Sequence, residues 1–99
     1  MRPIQVAALD RARPVLLLTR ELVLPYHTSV TVAPITGTIR GLSTEVRLGP
    51  QNGLDSECVV SCDNIVTVPI GALGRQIGYL LPEQEPALMS AIQAAFDLD

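Results

Sequence analysis

The 99-residue chain has no lysine and no tryptophan, one histidine, two cysteines and three aromatic side chains, Tyr26, Tyr79 and Phe96. Each shortage excludes something. Two cysteines cannot build a disulfide scaffold, and Cys58 and Cys62 stand four apart in an expected strand. That spacing separates their Cα atoms by about 13 Å, beyond disulfide reach. They are expected as reduced core residues of a cytoplasmic protein. One histidine and two thiols leave a zinc site short of ligands, so no metal and no other cofactor is expected. The longest apolar stretches, such as Val15–Leu18, fall far below the roughly 20 residues of a membrane helix. Asp10 and Arg11 arrive before a signal-peptide core is complete, so neither leader nor membrane contact is expected.

Charged residues make up 17% of the chain, under the usual roughly 25%. The chain is nevertheless rich in Leu, Ile and Val, which argues against disorder and for an aliphatic core. At this length one domain, spanning 1–99, is expected, burying roughly 60–70% of its unfolded surface. The apolar excess predicts that part of the surface is covered by a second copy in a homodimer. The first fifty residues hold six arginines and three carboxylates, the remainder one arginine and seven carboxylates, for a net charge of −3. An acidic total excludes a protein that coats nucleic acid nonspecifically, but not a small local arginine site.

The first eighty residues read as short strands separated by turns. Runs expected as strands are Ile4–Ala8, Pro14–Thr19 (PVLLLT), Val30–Ile35 (VTVAPI), Thr44–Leu48, Cys58–Ser61, Thr67–Pro69 and Arg75–Leu80. A loop with Pro25, Tyr26 and His27 separates the second and third, and Gly49 to Ser56, with Asn52-Gly53 inside, reads as a turn region. Leu88, Ile92 and Phe96 recur every four residues beside Ala91 and Ala95. They predict a helix that begins between Glu83 and Pro86 and runs to about Phe96. Many strands followed by one helix imply a compact antiparallel barrel or twisted sheet with a helix packed on it.

PVLLLT and VTVAPI have the same length. Paired antiparallel with Thr19 opposite Val30, they set Pro14 opposite Ile35 and Arg13 beside Thr36, with Cβ atoms about 5 Å apart. A guanidinium and a hydroxyl then project together, whereas a slip of one residue sends them to opposite faces. Read from spacing alone, Arg13 is equally an exposed charge at the start of a strand and Thr36 a hydroxyl closing one.

Ala12-Arg13-Pro14-Val15-Leu16-Leu17-Leu18-Thr19, Val32-Ala33-Pro34-Ile35-Thr36 and Val59-Val60-Ser61-Cys62-Asp63-Asn64-Ile65-Val66-Thr67 occur in that order. With the closing Leu73…Ile77-Gly78…Leu80 and the helix, they resemble the MazF/PemK (Kid-like) toxins of bacterial type II toxin–antitoxin systems over nearly the whole chain. The resemblance implies a mainly β fold with a C-terminal α-helix, an SH3-like (Kid/CcdB-type) twisted antiparallel barrel, and a homodimer. It implies metal-independent endoribonuclease cleavage of single-stranded RNA at short sequences, leaving 2′,3′-cyclic phosphate and 5′-hydroxyl ends and so inhibiting translation and growth. It also implies a cognate MazE-like antitoxin that blocks the site with an extended acidic, apolar tail. The family's catalytic arginine before Pro-Val falls on Arg13, and its catalytic threonine at the end of the third strand falls on Thr36.

The chemistry suits that pair. As the RNA 2′-hydroxyl attacks its own phosphate, charge grows on the non-bridging oxygens. A guanidinium fork matches phosphate geometry, and a threonine hydroxyl adds an oriented donor. Such donors are worth roughly 10²–10³ in rate each. Arginine is a poor base, its pKa exceeding about 12, so Arg13 is assigned transition-state stabilisation and the base is not identified. Asp63 and Asn64 match the family's acidic–amide pair near the RNA, or form an ordinary turn. Arg40 and Arg47 either track the RNA backbone or are plain surface charges. Tyr26 and His27 are candidates for base stacking. Gly71-Ala72-Leu73-Gly74 lacks the lysine and Ser/Thr of a phosphate loop and reads as a turn.

The chain departs from the family at its start. Met1-Arg2-Pro3-Ile4 replaces the common Gly-Asp-Val-Tyr, and only Leu9–Ala12 stands where the family has a long polar loop, leaving Asp10 as the available acid. Val66 stands where some members carry a basic residue. The alternative function is that of a non-catalytic CcdB-like toxin binding gyrase. Its Trp-Gly-Ile tail is missing from Phe96-Asp97-Leu98-Asp99. A degenerate module that only titrates antitoxin is a third reading.

Overall fold

A computed structural model describes residues 1–98 of the chain. Strands β1 (Pro3–Ala8) and β2 (Ala12–Leu17) form a hairpin, followed by a 3₁₀ stretch over Glu21–Tyr26 and by β3 (Ser29–Thr36). Then come β4 (Glu45–Leu48), β5 (Cys58–Ser61), β6 (Val66–Pro69), β7 (Leu73–Tyr79) and helix α1 (Glu85–Ala95). All pairings are antiparallel, in the order β4-β5-β3-β2-β1-β7, with β6 also on β3. The sheet curls into a half-barrel with β4 and β7 at its ends. This is the mainly β architecture with a C-terminal helix that the sequence leads one to expect.

Strand alternation sorts the side chains into two cores. Leu16 joins Ile4, Ala33, Ile35, Val60 and Leu80 on the face that α1 covers with Leu88 and Ala91. Val15 and Leu17 point the other way and pack with Ala7, Val30, Val32 and Val68. An uninterrupted apolar run is therefore what a strand buried on both faces requires. Arg2 pins the helix to the sheet. Its guanidinium donates to both Glu85 oxygens, at 3.2 and 3.3 Å, and to the Leu17 and Leu18 carbonyls.

Pairing of Val15 with Pro34, Leu16 with Ala33 and Leu17 with Val32 realises the expected register. The strand itself lies two residues earlier than PVLLLT suggests, because Thr19 leaves the ladder and its Oγ1 accepts from the Thr31 N–H at 2.8 Å. One edge of β3 is shared: its first half pairs with β6 and its end with β5. Between these pairings Cys62–Asn64 leave the ladder as a 3₁₀ turn. The gap coincides with Pro34, which has no N–H to give.

Two further departures have local causes. Phe96, expected on the buried stripe of the helix, is exposed. The helix ends at Ala95, Phe96 has left helical geometry, and Asp97 turns left-handed at φ 54°. On β7, five residue steps from Leu73 to Gly78 face three steps of β1 from Ala7 to Ile4. Two bulges absorb the surplus.

Candidate active site

Continuing the β2–β3 register by two residues sets Arg13 opposite Thr36, and both line the same two clefts. The three-residue β1–β2 loop, Leu9–Arg11, holds the arginine in place. Asp10 accepts the Arg11 N–H at 3.0 Å and the Arg13 Nη2 at 3.3 Å. The available acid of the short loop thus turns back onto the arginine. The Arg13 side chain is only 26% exposed, and its buried Nε–H has no acceptor among the described residues. A guanidinium so partly desolvated interacts more strongly with an incoming anion than one in open water. Across from it, Thr36 Oγ1 accepts from the Thr38 N–H at 3.2 Å. The hydroxyl is then oriented with its own proton free to donate.

Three clefts meet at Arg13. The first, about 400 Å³, lies between Arg11, Arg13 and Thr36 on one side and Leu54, Asp55 and Ser56 on the other. The second, about 600 Å³, runs from Arg13 and Thr36 past Thr38 and Arg40 to Asp63 and Asn64. The third, about 590 Å³, extends from Arg13 between Leu54–Asp55 and the Arg75–Ile77 stretch of β7. Arg2, Arg13 and Arg47 are ion-paired with Glu85, Asp10 and Glu57. The guanidinium groups of Arg11, Arg20, Arg40 and Arg75 take part in no ion pair among the described residues, and all of these except Arg20 line the clefts. The joined groove is therefore where cationic charge is unspent, in a protein whose total charge is negative.

Arg40, Asp63 and Asn64 thus come together with Arg13 and Thr36. Asp63 accepts from the Thr44 hydroxyl at 2.7 Å, and Asn64 donates to Ser61 Oγ at 2.8 Å, so both also brace their own turn. Glu45, beside Arg40, accepts the N–H groups of Arg40, Gly41 and Leu42 and holds that loop in shape. Arg47 is not brought in. Thr36 pairs with Val59 and Val59 with Arg47, so they share a row, but Arg47 turns to Glu57 outside the clefts. Tyr26 and His27 sit on the exposed 3₁₀ stretch and its end, and line none of the three clefts.

The cleft walls Arg11, Asp55, Ser56 and Arg75 were not among the residues expected at the site. Asn52-Gly53 was the available signal. Asn52 is buried; its Oδ1 accepts the Gly49 N–H at 3.1 Å, and its Nδ2 donates to Tyr79 O at 3.0 Å and to Gln84 Oε1 at 2.7 Å. This clamp fixes the turn against β7 and carries Leu54–Ser56 to the cleft. Cys58 and Cys62 are free, buried core thiols. Burial pushes both up, and burial together with the Asp63 charge takes Cys62 to about 11. Neither is a thiolate at neutral pH, so neither is a nucleophile.

The fold is thus a curled antiparallel sheet with one C-terminal helix, and its β2–β3 seam brings an arginine and a threonine to the wall of a groove. Over residues 5–96 the sequence matches the family described as PemK-like, MazF-like toxin of type II toxin-antitoxin system. It is 66% identical to endoribonuclease MazF3 of Mycobacterium tuberculosis, over 100% of this chain and 96% of that protein. The structure superposes on the Mycobacterium tuberculosis toxin MazF-mt6 with a TM-score of 0.97 at 65% identity, covering 99% of each chain. It superposes on a mycobacterial endoribonuclease in complex with its cognate antitoxin with a TM-score of 0.87 at 26% identity, covering 98% of this chain and 93% of that one. The chain belongs to the PemK/MazF family of type II toxin–antitoxin toxins and is an endoribonuclease.

Proposed function

We propose that this toxin cleaves single-stranded RNA by attack of a ribose 2′-oxygen on its own 3′-phosphate. The 2′ O–P bond forms as the bond to the following 5′-oxygen breaks. The 2′-hydroxyl loses its proton and the leaving oxygen gains one, leaving a 2′,3′-cyclic phosphate and a 5′-hydroxyl. Arg13 faces the non-bridging oxygens, and Thr36 donates its hydroxyl proton to the same phosphate. Because the nucleophile is tethered in the substrate, the step needs orientation and charge stabilisation, with no metal to generate a nucleophile. Arg40, Asp63 and Asn64 flank the strand in the second cleft.

The observation that carries this reading is the convergence of Arg13 and Thr36 across β2 and β3, each with an unspent donor, over a groove. In the cell the toxin acts in the cytoplasm as a homodimer, inhibiting translation until an antitoxin's acidic, apolar tail occupies the groove. The exposed Leu22, Met89, Phe96 and Leu98 supply apolar surface for those partners.

The test is incubation of the purified protein with mixed RNA in EDTA, with the new ends mapped and their chemistry determined. Cleavage leaving 5′-hydroxyl ends, reduced about 10²-fold or more in Arg13→Ala, is expected. RNA left intact, or cut equally by wild type and Arg13→Ala, overturns it.

A further inference from the structure

Successive strand residues normally point to opposite faces, yet Arg75, Gln76 and Ile77 all line the third cleft. The two bulges of β7 make this possible, because each bulge re-aims the side chains beside it. The cleft has an apolar floor of Pro14, Leu54 and Ile77 and a polar rim of exposed Asp55, Arg75 and Gln76. Arg75 and Asp55 face it without forming an ion pair with each other or with any other described residue. Its volume of about 590 Å³ is that of a small-ligand site. An apolar floor with a polar rim suits a nucleobase, which offers a flat face and an edge of donors and acceptors. Arg13 and Pro14 belong to both this cleft and the first. With β1 between them, β2 and β7 lie about 10 Å apart, a span that one nucleotide and an arginine side chain bridge.

We propose that this cleft is the subsite for a nucleotide flanking the scissile phosphate, with Arg75 on that nucleotide's phosphate and Asp55 and Gln76 on its base. The proposal rests on the RNA-cleaving reading above. An ionised carboxylate has only acceptors and repels the phosphate backbone, so Asp55 selects bases that present donors on their edge.

The test uses the full chain and single-stranded RNAs with one flanking position varied, comparing Arg75→Gln, Asp55→Asn and Arg20→Gln. Arg20 is the unpaired arginine away from the groove, so it controls for charge. Arg75→Gln is expected to lower kcat/KM about tenfold and to reduce the salt slope of RNA affinity by about one. Asp55→Asn is expected to flatten the preference at one flanking base by about tenfold, and Arg20→Gln to change neither. Arg75→Gln behaving like Arg20→Gln overturns the subsite, as does an equal loss on every RNA with salt slope and base preference unchanged. Should the wild type leave RNA uncut, the nuclease reading fails by itself. The subsite is then read from binding of 2′-O-methyl RNA, where the same losses support it and their absence overturns it.

Discussion

A methyl group on Gly78 of β7 has nowhere to go. It would stand 1.9 Å from the carbonyl oxygen of Asn52, 2.8 Å from that carbonyl carbon and 3.2 Å from Gly53 Cα. These are backbone atoms, so no rotamer change relieves the overlap. The contact is mutual: a Cβ on Gly53, whose φ is +88°, would meet Ile77 O at 2.5 Å. Gly78→Ala must therefore push the Asn52 turn off the sheet and break its hydrogen bonds to Tyr79 and Gln84. Overpacking of this kind costs about 1–3 kcal/mol. Leaving the buried amide and its partners unsatisfied adds about 1–3 kcal/mol, so a loss of about 2–6 kcal/mol is expected. For a chain of this size each kcal/mol lowers Tm by about 4–8 °C, giving a drop of at least about 8 °C. Gly71→Ala is the control: beyond its chain neighbours, no atom of the described residues lies within 4 Å of an added Cβ, and its effect should run from neutral to about 1 kcal/mol stabilising. Circular-dichroism melts of the three proteins at one concentration provide the assay. Because the displaced turn leads into Leu54–Ser56, Gly78→Ala should also lose cleavage at temperatures where it remains folded. A Gly78→Ala melt within about 3 °C of wild type, or an equal fall in Gly71→Ala, refutes the reasoning.

Two further outcomes follow from the same coordinates. Thr36→Val keeps the side-chain shape without the hydroxyl, so cleavage should fall by about 10² or more while Thr36→Ser retains most of it; equal rates for Val and Ser remove the threonine from the mechanism. The Cys62 thiol is raised from 9.0 to about 11 and Cys58 moves in the same direction, so the folded state holds these protons more tightly than the unfolded chain. Their contribution to stability is complete below about pH 9 and is lost as pH rises toward 11, by about 2 kcal/mol for Cys62. Urea titrations across that range should show the decline in wild type and a smaller one in Cys62→Val, and equal declines contradict the assignment.

The strand positions and the pairing of β2 with β3 were legible because PVLLLT and VTVAPI match in length and because one face of each must be buried. Register follows from those two facts, and with it the meeting of Arg13 and Thr36. Cys58–Ser61 and the start of the helix were equally readable from local pattern. Phe96 was not, since its spacing suits a helix that a left-handed Asp97 brings to an end. Arg47 alternates correctly onto the outward face but is drawn to Glu57, and no spacing rule foretells which carboxylate an arginine meets.

The amino-acid sequence by itself determined which segments are strands or helix and which of their side chains face a core. Those properties depend on neighbours two to four residues away along the chain. The clefts depend on the backbone contact between Gly78 and Asn52, the bulges that turn Arg75 and Gln76 together, and the ion pairs that leave Arg11, Arg40 and Arg75 unspent. Those arise between residues far apart in sequence, and only the closed tertiary arrangement of the sheet decides them.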